Sequence, residues 1–383
     1  MKTKKIKVAY ILTPITFGGS EKVNLNFLKS VDRNAYQVQP ILLVRPWEEE
    51  TYFARKLRSY GYGYETIPTR KMPGKDPLRV TRVAHRIFSL LYKSSYDLVH
   101  SHGYFADICS LPVARLMGIK SVSTCHGFIS NNKKLALYNK FDRIVLRLSN
   151  RVICVSESIK DSLLSSGLGQ DKIRVIPNAV AISLDRGKMK ETRKAIRKKL
   201  FADDNHLVVG YAGRLSEEKG LRPLMQAFGM LVQMRPQCRL WLIGDGPLRP
   251  ELQKLADSAG ISEHITFLGF RQDVEELMMG MDVFVLPSFT EGTPMALLEA
   301  MSLGIPVVAS AVGQIPKIVS SGENGLLISA GDISELSKSV LKIFDDKAFA
   351  RQLSEKAFKT VEKKYSTHVW IKKLEDIYSE LVN

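Results

Sequence analysis

Short apolar runs alternate with amphipathic stretches along the whole chain. The first set of runs covers Lys7–Leu12, Pro40–Val44, Tyr64–Ile67, Leu98–His102, Ser121–His126, Val152–Ser156 and Arg174–Pro177. The second covers His206–Ala212, Leu240–Gly244, Ile265–Leu268, Val283–Pro287, Val307–Ser310 and Gly325–Ile328. Helical periodicity fills most of the gaps, and the chain after Asp332 reads as helix throughout. Val283-Phe284-Val285-Leu286 has no polar face, as expected of a parallel strand covered on both sides. Alternation of this kind predicts an α/β, doubly wound architecture. The strands are too many for one comfortable sheet, so the pattern predicts two Rossmann-like domains with a cleft between them. The break falls where Arg186–Lys199 is basic and polar and Asp203-Asp204-Asn205 reads as a turn. The expected division is a first domain over 1–180, a basic linker over 181–205, a second domain over 206–365 and a C-terminal helix over 366–383. The C-terminal helices are expected to cross back to the first domain.

Composition narrows the class. With 45% hydrophobic and 25% charged residues over 383 positions, disorder, collagen and a disulfide-stapled mini-protein are excluded. No run reaches the roughly 18 apolar residues of a membrane-spanning helix. The basic opening at Lys2, Lys4, Lys5 and Lys7 leads into Val8–Leu12 without a small-residue cleavage pattern, so it reads as a first strand rather than a signal peptide. Cys109, Cys125, Cys154 and Cys238 form neither a metal knuckle nor a CxxC pair and read as buried thiols in a reducing compartment. The expected location is cytoplasmic, free or peripheral on the cytoplasmic face of a membrane. Net charge is +17, and its distribution is uneven: +16 over 1–180, +6 over 181–200 and −5 over 201–383. Two halves of opposite sign point to different partners.

Three strand-end turns carry candidate chemistry. Glu291-Gly292-Thr293-Pro294-Met295-Ala296-Leu297-Leu298-Glu299 follows an apolar strand and opens a helix, with Thr293 fitting the N-cap and Pro294 the first helical position. Free N–H groups there suit a diphosphate, and the carboxyl ends of strands are where open α/β sheets bind ligands. Taken alone, the segment fits a capped helix with a dipole-compensating acid equally well. Gly213-Arg214-Leu215-Ser216-Glu217-Glu218-Lys219-Gly220 follows the first strand of the second domain and offers two cations, Arg214 and Lys219, for a leaving diphosphate. Alone it fits a solvated loop with an Arg–Glu pair. Gly18-Gly19-Ser20-Glu21 follows the first strand, but its spacing is not a dinucleotide fingerprint. Gly244-Asp245-Gly246-Pro247 is a similar turn.

In this order, the three signals make the chain resemble the retaining, GT-B-fold glycosyltransferases of family 4, the group 1 transferases. The resemblance covers nearly the whole chain and is strongest from Val208 to Asp332. It is carried by Gly213-Arg214-Leu215 with Lys219-Gly220, Leu242 to Pro247, Phe267-Leu268-Gly269, Glu291 to Glu299, Pro306-Val307-Val308 and Asn324 to Leu327. Gly18-Gly19, His126-Gly127 and Ser156-Glu157-Ser158 also look like family positions. The resemblance implies roles. Glu291 would hold sugar hydroxyls beneath the anomeric carbon, and Glu299 the ribose. Arg214 and Lys219 would stabilise the leaving nucleoside diphosphate. Backbone around Leu268–Phe270, together with Gly244, would meet the nucleotide. Gly292, Thr293, Pro294, Met295 and Ala296 would contact sugar and phosphate. Gly19 would approach the diphosphate from the first domain, and His126 the donor sugar or acceptor. No cofactor is implied.

Retention normally calls for two carboxylates about 5 Å apart. No convincing second one is found, so front-face attack guided by the leaving phosphate is expected. No Asp-x-Asp occurs, so a metal site of that type is not indicated and metal independence is expected. Two departures from the family pattern stand out. Asn178-Ala179-Val180-Ala181 replaces the common Asn-Gly-Val-Asp, and Gly313-Gln314-Ile315-Pro316-Lys317 puts a cation where an acid is usual. His100 and His102 share one face of a strand, where a satisfied strand-end pair is the expected role rather than a metal pair. His85, His206, His264 and His368 read as structural or solvated.

The basic half has its own pattern. Lys133, Lys140, Arg143 and Arg147 fall on one helical face over 131–148, with Leu137, Phe141, Ile144, Val145 and Leu148 beside them. Arg79, Arg82, Arg86 and Lys93 repeat the theme against Val83, Ile87, Leu90 and Leu91, and Arg70, Lys71 and Lys75 add to it. The apolar stripes are expected to pack on the sheet, leaving the charges in water. Their sign points to an anionic membrane or acceptor; no motif supports nucleic acid. The expected partners are thus a nucleotide-diphosphate sugar, a glycan or lipid-linked acceptor and an anionic membrane surface. The expected activity is transfer of a hexose-type sugar in cell-envelope polysaccharide synthesis. The alternatives are a sugar-nucleotide epimerase, a phosphorylase, or a non-catalytic membrane- or nucleic-acid-binding protein.

Overall fold

The structure, a computed structural model, describes residues 5–382 apart from 15–17, 46, 48, 70–75, 77, 128–132 and 183–185, without the side chains of 133–135 and 186. Arg70, Lys71, Lys75 and the side chain of Lys133 therefore lie outside the described residues. The chain forms two compact units, one over Met1–Asn178 with Thr367–Asn383, the other over Ala179–Ser366.

The first unit holds a seven-stranded parallel sheet: β1 (Ile6–Leu12), β2 (Tyr36–Val44), β3 (Glu65–Pro68), β4 (Leu98–His102), β5 (Lys120–Cys125), β6 (Arg151–Cys154) and β7 (Ile173–Val175). Its order is β3-β2-β1-β4-β5-β6-β7. Helices α1 (Gly19–Ser30), α2 (Tyr52–Ser59), α3 (Arg79–Ser94), α4 (Tyr104–Leu116), α5 (Lys133–Val145) and α6 (Glu157–Ser165) connect the strands. Every residue of β4 is buried, as a strand covered on both faces must be. Val83, Ile87 and Leu91 of α3 recur at helical spacing and pack on that sheet with Ile11, Ile41 and Val99.

The second unit holds α7 (Arg186–Lys199), β8 (Leu207–Ala212), α8 (Leu221–Met234), β9 (Cys238–Ile243), α9 (Arg249–Ser258), β10 (Ile265–Gly269), α10 (Val274–Met279), β11 (Val283–Leu286) and α11 (Met295–Ser302). β12 (Val307–Ser310), α12 (Ile315–Ile318), β13 (Leu326–Ile328), α13 (Ile333–Asp345) and α14 (Lys347–Lys364) complete it. Its parallel order is β10-β9-β8-β11-β12-β13, around a core that includes Trp241, Tyr211 and Phe284. The last helix, α15 (Thr367–Val382), belongs to the first unit. Its Trp370 meets Phe27 edge-on, and Tyr378 meets Phe27 and Tyr36 in the same way.

Charge patterning misleads at two places. The segment 181–205, expected as a linker, is folded into the second unit through α7. Arg197 is 3% exposed; its guanidinium donates to Asp282 Oδ2 at 2.5 Å, to the Asp203 carbonyl at 2.8 Å and to the Gly280 carbonyl at 3.0 Å. Arg193 adds a bond to Asp282 Oδ1 at 2.6 Å. A partly buried carboxylate thus draws two of the helix's cations inward.

The second place is α5. Of its apolar stripe Val145 packs against the core, but the rest does not: Leu137, Phe141 and Ile144 are each more than half exposed, and Leu148 continues the row just beyond the helix. Asn139, Asp142 and Leu146 face inward instead. Asp142 hydrogen-bonds Asp107 of α4, and Ser101 Oγ donates to Asp107 Oδ1 at 2.5 Å. Burial raises both carboxyl pKa values, so the pair holds a proton near neutral pH. A carboxyl partner already buried in α4 decides which way α5 turns. Arg143 is drawn toward α6, donating to Ser162 Oγ at 2.9 Å, and so leaves the face shared by Lys140 and Arg147. Arg82 pairs with Asp76 at 2.5 Å.

Candidate active site

Strand order in the second sheet reverses between β8 and β11, so the loops leaving their carboxyl ends diverge to opposite faces. A crevice at that point is where open α/β sheets bind ligands. The loop after β8 runs through Arg214 and Lys219 to Gly220, and the loop after β11 runs through Ser288 and Glu291 to Pro294. The two are tied together. Phe289 N–H donates to the Glu218 carbonyl at 2.8 Å. Gly220 sits at φ +64°, and a Cβ there would lie 2.0 Å from the Pro287 carbonyl oxygen, so only glycine permits the approach. Gly313, at φ +55°, presses against the backbone of Glu291 in the same manner, with a Cβ distance of 1.8 Å to its carbonyl oxygen.

This arrangement joins two of the residues singled out by sequence. Lys219 Nζ donates to Glu291 Oε1 at 2.6 Å, with side-chain exposures of 22% and 8%. Ser288 Oγ donates to the same oxygen at 2.7 Å and is itself fully buried. Sequence reasoning missed Ser288, although a hydroxyl three residues before a loop carboxylate was a readable signal. Arg214 is exposed on the same loop, and its carbonyl accepts from Tyr211 Oη at 2.9 Å. Burial, then the charges of Glu291 and Glu218, raise the Tyr211 pKa, so the phenol stays protonated.

The helix start differs from expectation by one residue. Pro294, not Thr293, is the N-cap of α11, and Met295 is the first helical residue; no side chain caps it. Proline in extended backbone fits a cap position as well as the first turn, which is why sequence alone misplaced it. Thr293 is buried, while Met295 and Ala296 are partly exposed at the helix N-terminus, whose first N–H groups have no intrahelical acceptor. Gly292 is exposed, and a Cβ there would meet nothing within 4 Å. Glu299 is 6% exposed on α11, one helical turn past its start. Gly244 ends β9 against the backbone of Gly213, and its N–H donates to the Gly269 carbonyl at 2.8 Å. Phe270, just past β10, is 62% exposed.

Gly19 and His126 belong to the first unit. Gly19 opens α1; the preceding Gly18 N–H donates to Glu21 Oε2 at 3.0 Å. His126 follows β5 and is held well below its ordinary pKa, at about 4, by burial, so its imidazole is neutral. Its Nε2 lies 3.5 Å from His102 Nδ1. His100 is satisfied on both nitrogens, by Tyr378 Oη at 2.5 Å and Thr124 Oγ1 at 2.8 Å. His102 Nε2 and His126 Nδ1 are buried without a hydrogen-bond partner among the described residues. All four cysteines are buried and unbonded.

Two doubly wound parallel sheets, with a cation–carboxylate pair at the switch point of the second, define a two-domain α/β protein with a charged pair where such sheets bind ligands. Comparison with known proteins makes the class specific. The family described as Glycosyltransferase Family 4 matches residues 17–184, and the one described as Glycosyl transferases group 1 matches residues 192–360. The UDP-Gal:alpha-D-GlcNAc-diphosphoundecaprenol alpha-1,3-galactosyltransferase of Escherichia coli is 27% identical over 310 residues, which is 77% of this chain and 78% of that protein. The N-acetyl-alpha-D-glucosaminyl L-malate synthase of Bacillus anthracis is 23% identical, covering 99% of this chain and 98% of its own. The crystal structure of Anabaena HepE in complex with UDP shares the fold, with a TM-score of 0.80 at 21% identity over 98% of this chain and 100% of that one. The chain belongs to the group 1, family 4 glycosyltransferases and has their GT-B fold.

Proposed function

We propose that this glycosyltransferase moves a hexose-type sugar, with retention of configuration, from a nucleoside-diphosphate donor to a glycan or lipid-linked acceptor in cell-envelope polysaccharide synthesis. The observation that carries the reading is the Lys219–Glu291 pair at the β8/β11 switch point. Lys219 keeps donors to offer a β-phosphate, and Arg214 adds a second cation on the same loop. With Glu291 Oε1 engaged by Lys219 and Ser288, Oε2 is the oxygen that accepts a sugar hydroxyl. The first N–H groups of α11, beside the open face of Gly292, meet the phosphate, and Glu299 takes the ribose hydroxyls. Gly244 and the exposed Phe270 border the nucleoside.

In the reaction the bond from C1 to the phosphate oxygen breaks and its electrons stay on that oxygen. The acceptor hydroxyl oxygen bonds to C1 on the same face, and its proton passes to the departing phosphate. Arg214, Lys219 and the helix amides stabilise the charge that builds on the diphosphate. These groups carry the task that a divalent ion performs elsewhere, so no metal and no cofactor are required. The Escherichia coli relative is named for a diphosphoundecaprenol-linked acceptor, which supports a lipid-linked acceptor here. The first unit, with its excess of Lys and Arg, docks on an anionic membrane at the cytoplasmic face, each cation near the surface adding about 1 kcal/mol. The test is the anomeric configuration of the product, read by proton NMR with α-linked UDP-, GDP- and TDP-hexoses. An α-linked product is expected; a β-linked product would refute retention.

A further inference from the structure

We propose that α5 inserts its outward apolar row into the hydrocarbon edge of an anionic lipid bilayer, so that the first unit is held by burial of side chains and not by charge alone. The inference rests on the reading that this unit meets a membrane, and it names how. Leu137, Phe141 and Ile144 are 56%, 53% and 55% exposed. At 100° per residue they fall within about 60° of arc. Lys140 and Arg147 are exposed along one margin of that arc. The opposite side of the helix is fixed inward by Asp142 against Asp107, so the row is not a core stripe that slipped. It is an outward apolar face on a helix whose inner side carries Asn139 and Asp142 beside Val145.

The neighbouring helices extend the surface. α3 packs on α4 and α4 on α5. On α3, Phe88 and Tyr92 are exposed and stacked on each other, and Leu116 at the end of α4 is 80% exposed. Exposed apolar side chains grouped on neighbouring elements mark an interaction site. Charge selects the occupant. From Leu78 to Leu148 the sequence holds eleven Lys and Arg and three acids. Of the acids, Asp107 and Asp142 are buried, and Asp97 is partly buried and accepts the Lys7 N–H at 2.8 Å. An apolar row with cations along one margin and no exposed carboxylate between Leu78 and Leu148 matches the boundary between acyl chains and anionic headgroups. Beside the end of the row lies a recess of about 270 Å³ whose lining sets four cations, Arg115, Arg147, Arg151 and Lys172, against one acid, Asp171, a net positive charge suited to a phosphate headgroup. Lys172 Nζ braces it by donating to the Arg147 carbonyl at 2.6 Å.

The test is flotation with vesicles of equal parts phosphatidylglycerol and phosphatidylcholine, at 0.05 M and 0.5 M salt. Two variants of the full chain are compared with wild type: L137S/F141S/I144S and K140Q/R147Q. The substituted side chains are exposed, so the fold should persist, and circular dichroism checks it. Losing three half-buried apolar contacts should lower partitioning roughly a hundredfold, about fivefold each. Wild type should keep a fraction bound at 0.5 M salt, the serine variant none, and the glutamine variant should lose binding mainly at low salt. A serine variant that binds as wild type does would overturn insertion while leaving surface docking intact. Wild type that fails to bind at low salt would overturn both. A wild-type dimer that the serine variant dissolves would assign the row to a second copy and overturn the lipid proposal. Because every native cysteine among the described residues is buried, F141C can carry a single nitroxide. Its power saturation should place residue 141 below the headgroups; a label left in water contradicts insertion even if the serine variant misfolds.

Discussion

Lys219→Met removes the charge at the centre of the site while keeping most of the side-chain volume. In the structure Lys219 Nζ is one of two donors on Glu291 Oε1, the other being Ser288 Oγ. The carboxylate is 8% exposed, so it loses its counter-ion where water reaches it poorly. Leaving such a group half-satisfied costs about 1–3 kcal/mol. For a unit of this size that is a fall in Tm of roughly 3–10 °C. The catalytic loss has a different origin. A preorganised donor on a leaving oxyanion is worth about 10²–10³ in rate, so kcat/KM should fall by that factor. Initial rates of acceptor-dependent nucleoside diphosphate release, with thermal unfolding alongside, separate the two effects. The double variant K219M/E291Q removes both charges at once. Its Tm should recover toward wild type while its rate stays low. The reasoning fails if K219M keeps a rate within threefold of wild type, or if the double variant regains activity together with stability.

The strands were legible because each is an apolar run bounded by turns. β4 and β12 begin and end where the pattern puts them, at Leu98–His102 and Val307–Ser310. β2 starts four residues earlier than its pattern, at Tyr36, because Gln37 and Gln39 alternate with Tyr36 and Val38 and interrupt the run. The site was legible as two loops, since strand ends, glycines and charged residues announce themselves locally. That Lys219 and Glu291 are directly bonded was not, because it depends on the β8/β11 adjacency, which no local signal encodes. α5 shows the limit of periodicity. Its sequence has an apolar stripe and a buried acid on opposite sides, and only the position of Asp107 on α4 decides which side goes in. Arg197 fails the same way: a cation in a basic run reads as solvated until Asp282 is seen beneath it.

Three further outcomes follow from the packing. The folded pair Asp107–Asp142 holds its proton at pH values where the unfolded chain, with carboxyls near pKa 3.9, has released it. The folded state therefore binds more protons above about pH 4, and its stability falls as pH rises through neutrality. D142N, which keeps a donor to Asp107 and cannot ionise, should gain about 1–3 kcal/mol on wild type between pH 6 and 9 in urea unfolding; parallel pH profiles would contradict this. Arg197→Met strips a partly buried carboxylate of one of its two guanidinium partners and should destabilise the second unit by about 2–3 kcal/mol and expose α7 to trypsin, whereas a linker helix would be indifferent. Gly220→Ala places a methyl into the Pro287 carbonyl at a left-handed backbone position and should both lower Tm and cut the transfer rate, since the Lys219 and Glu291 loops separate; an unchanged Tm would refute the loop contact.

The central claim is that the second unit binds a nucleoside diphosphate through its own cations at the β8/β11 switch point. Isothermal titration of UDP, GDP, ADP and TDP into the protein in EDTA tests it most directly. One of the four should bind at a single site, with affinity unchanged by added magnesium and lost by at least tenfold in K219M. Binding of none, binding only with the metal, or equal binding to wild type and K219M would contradict it.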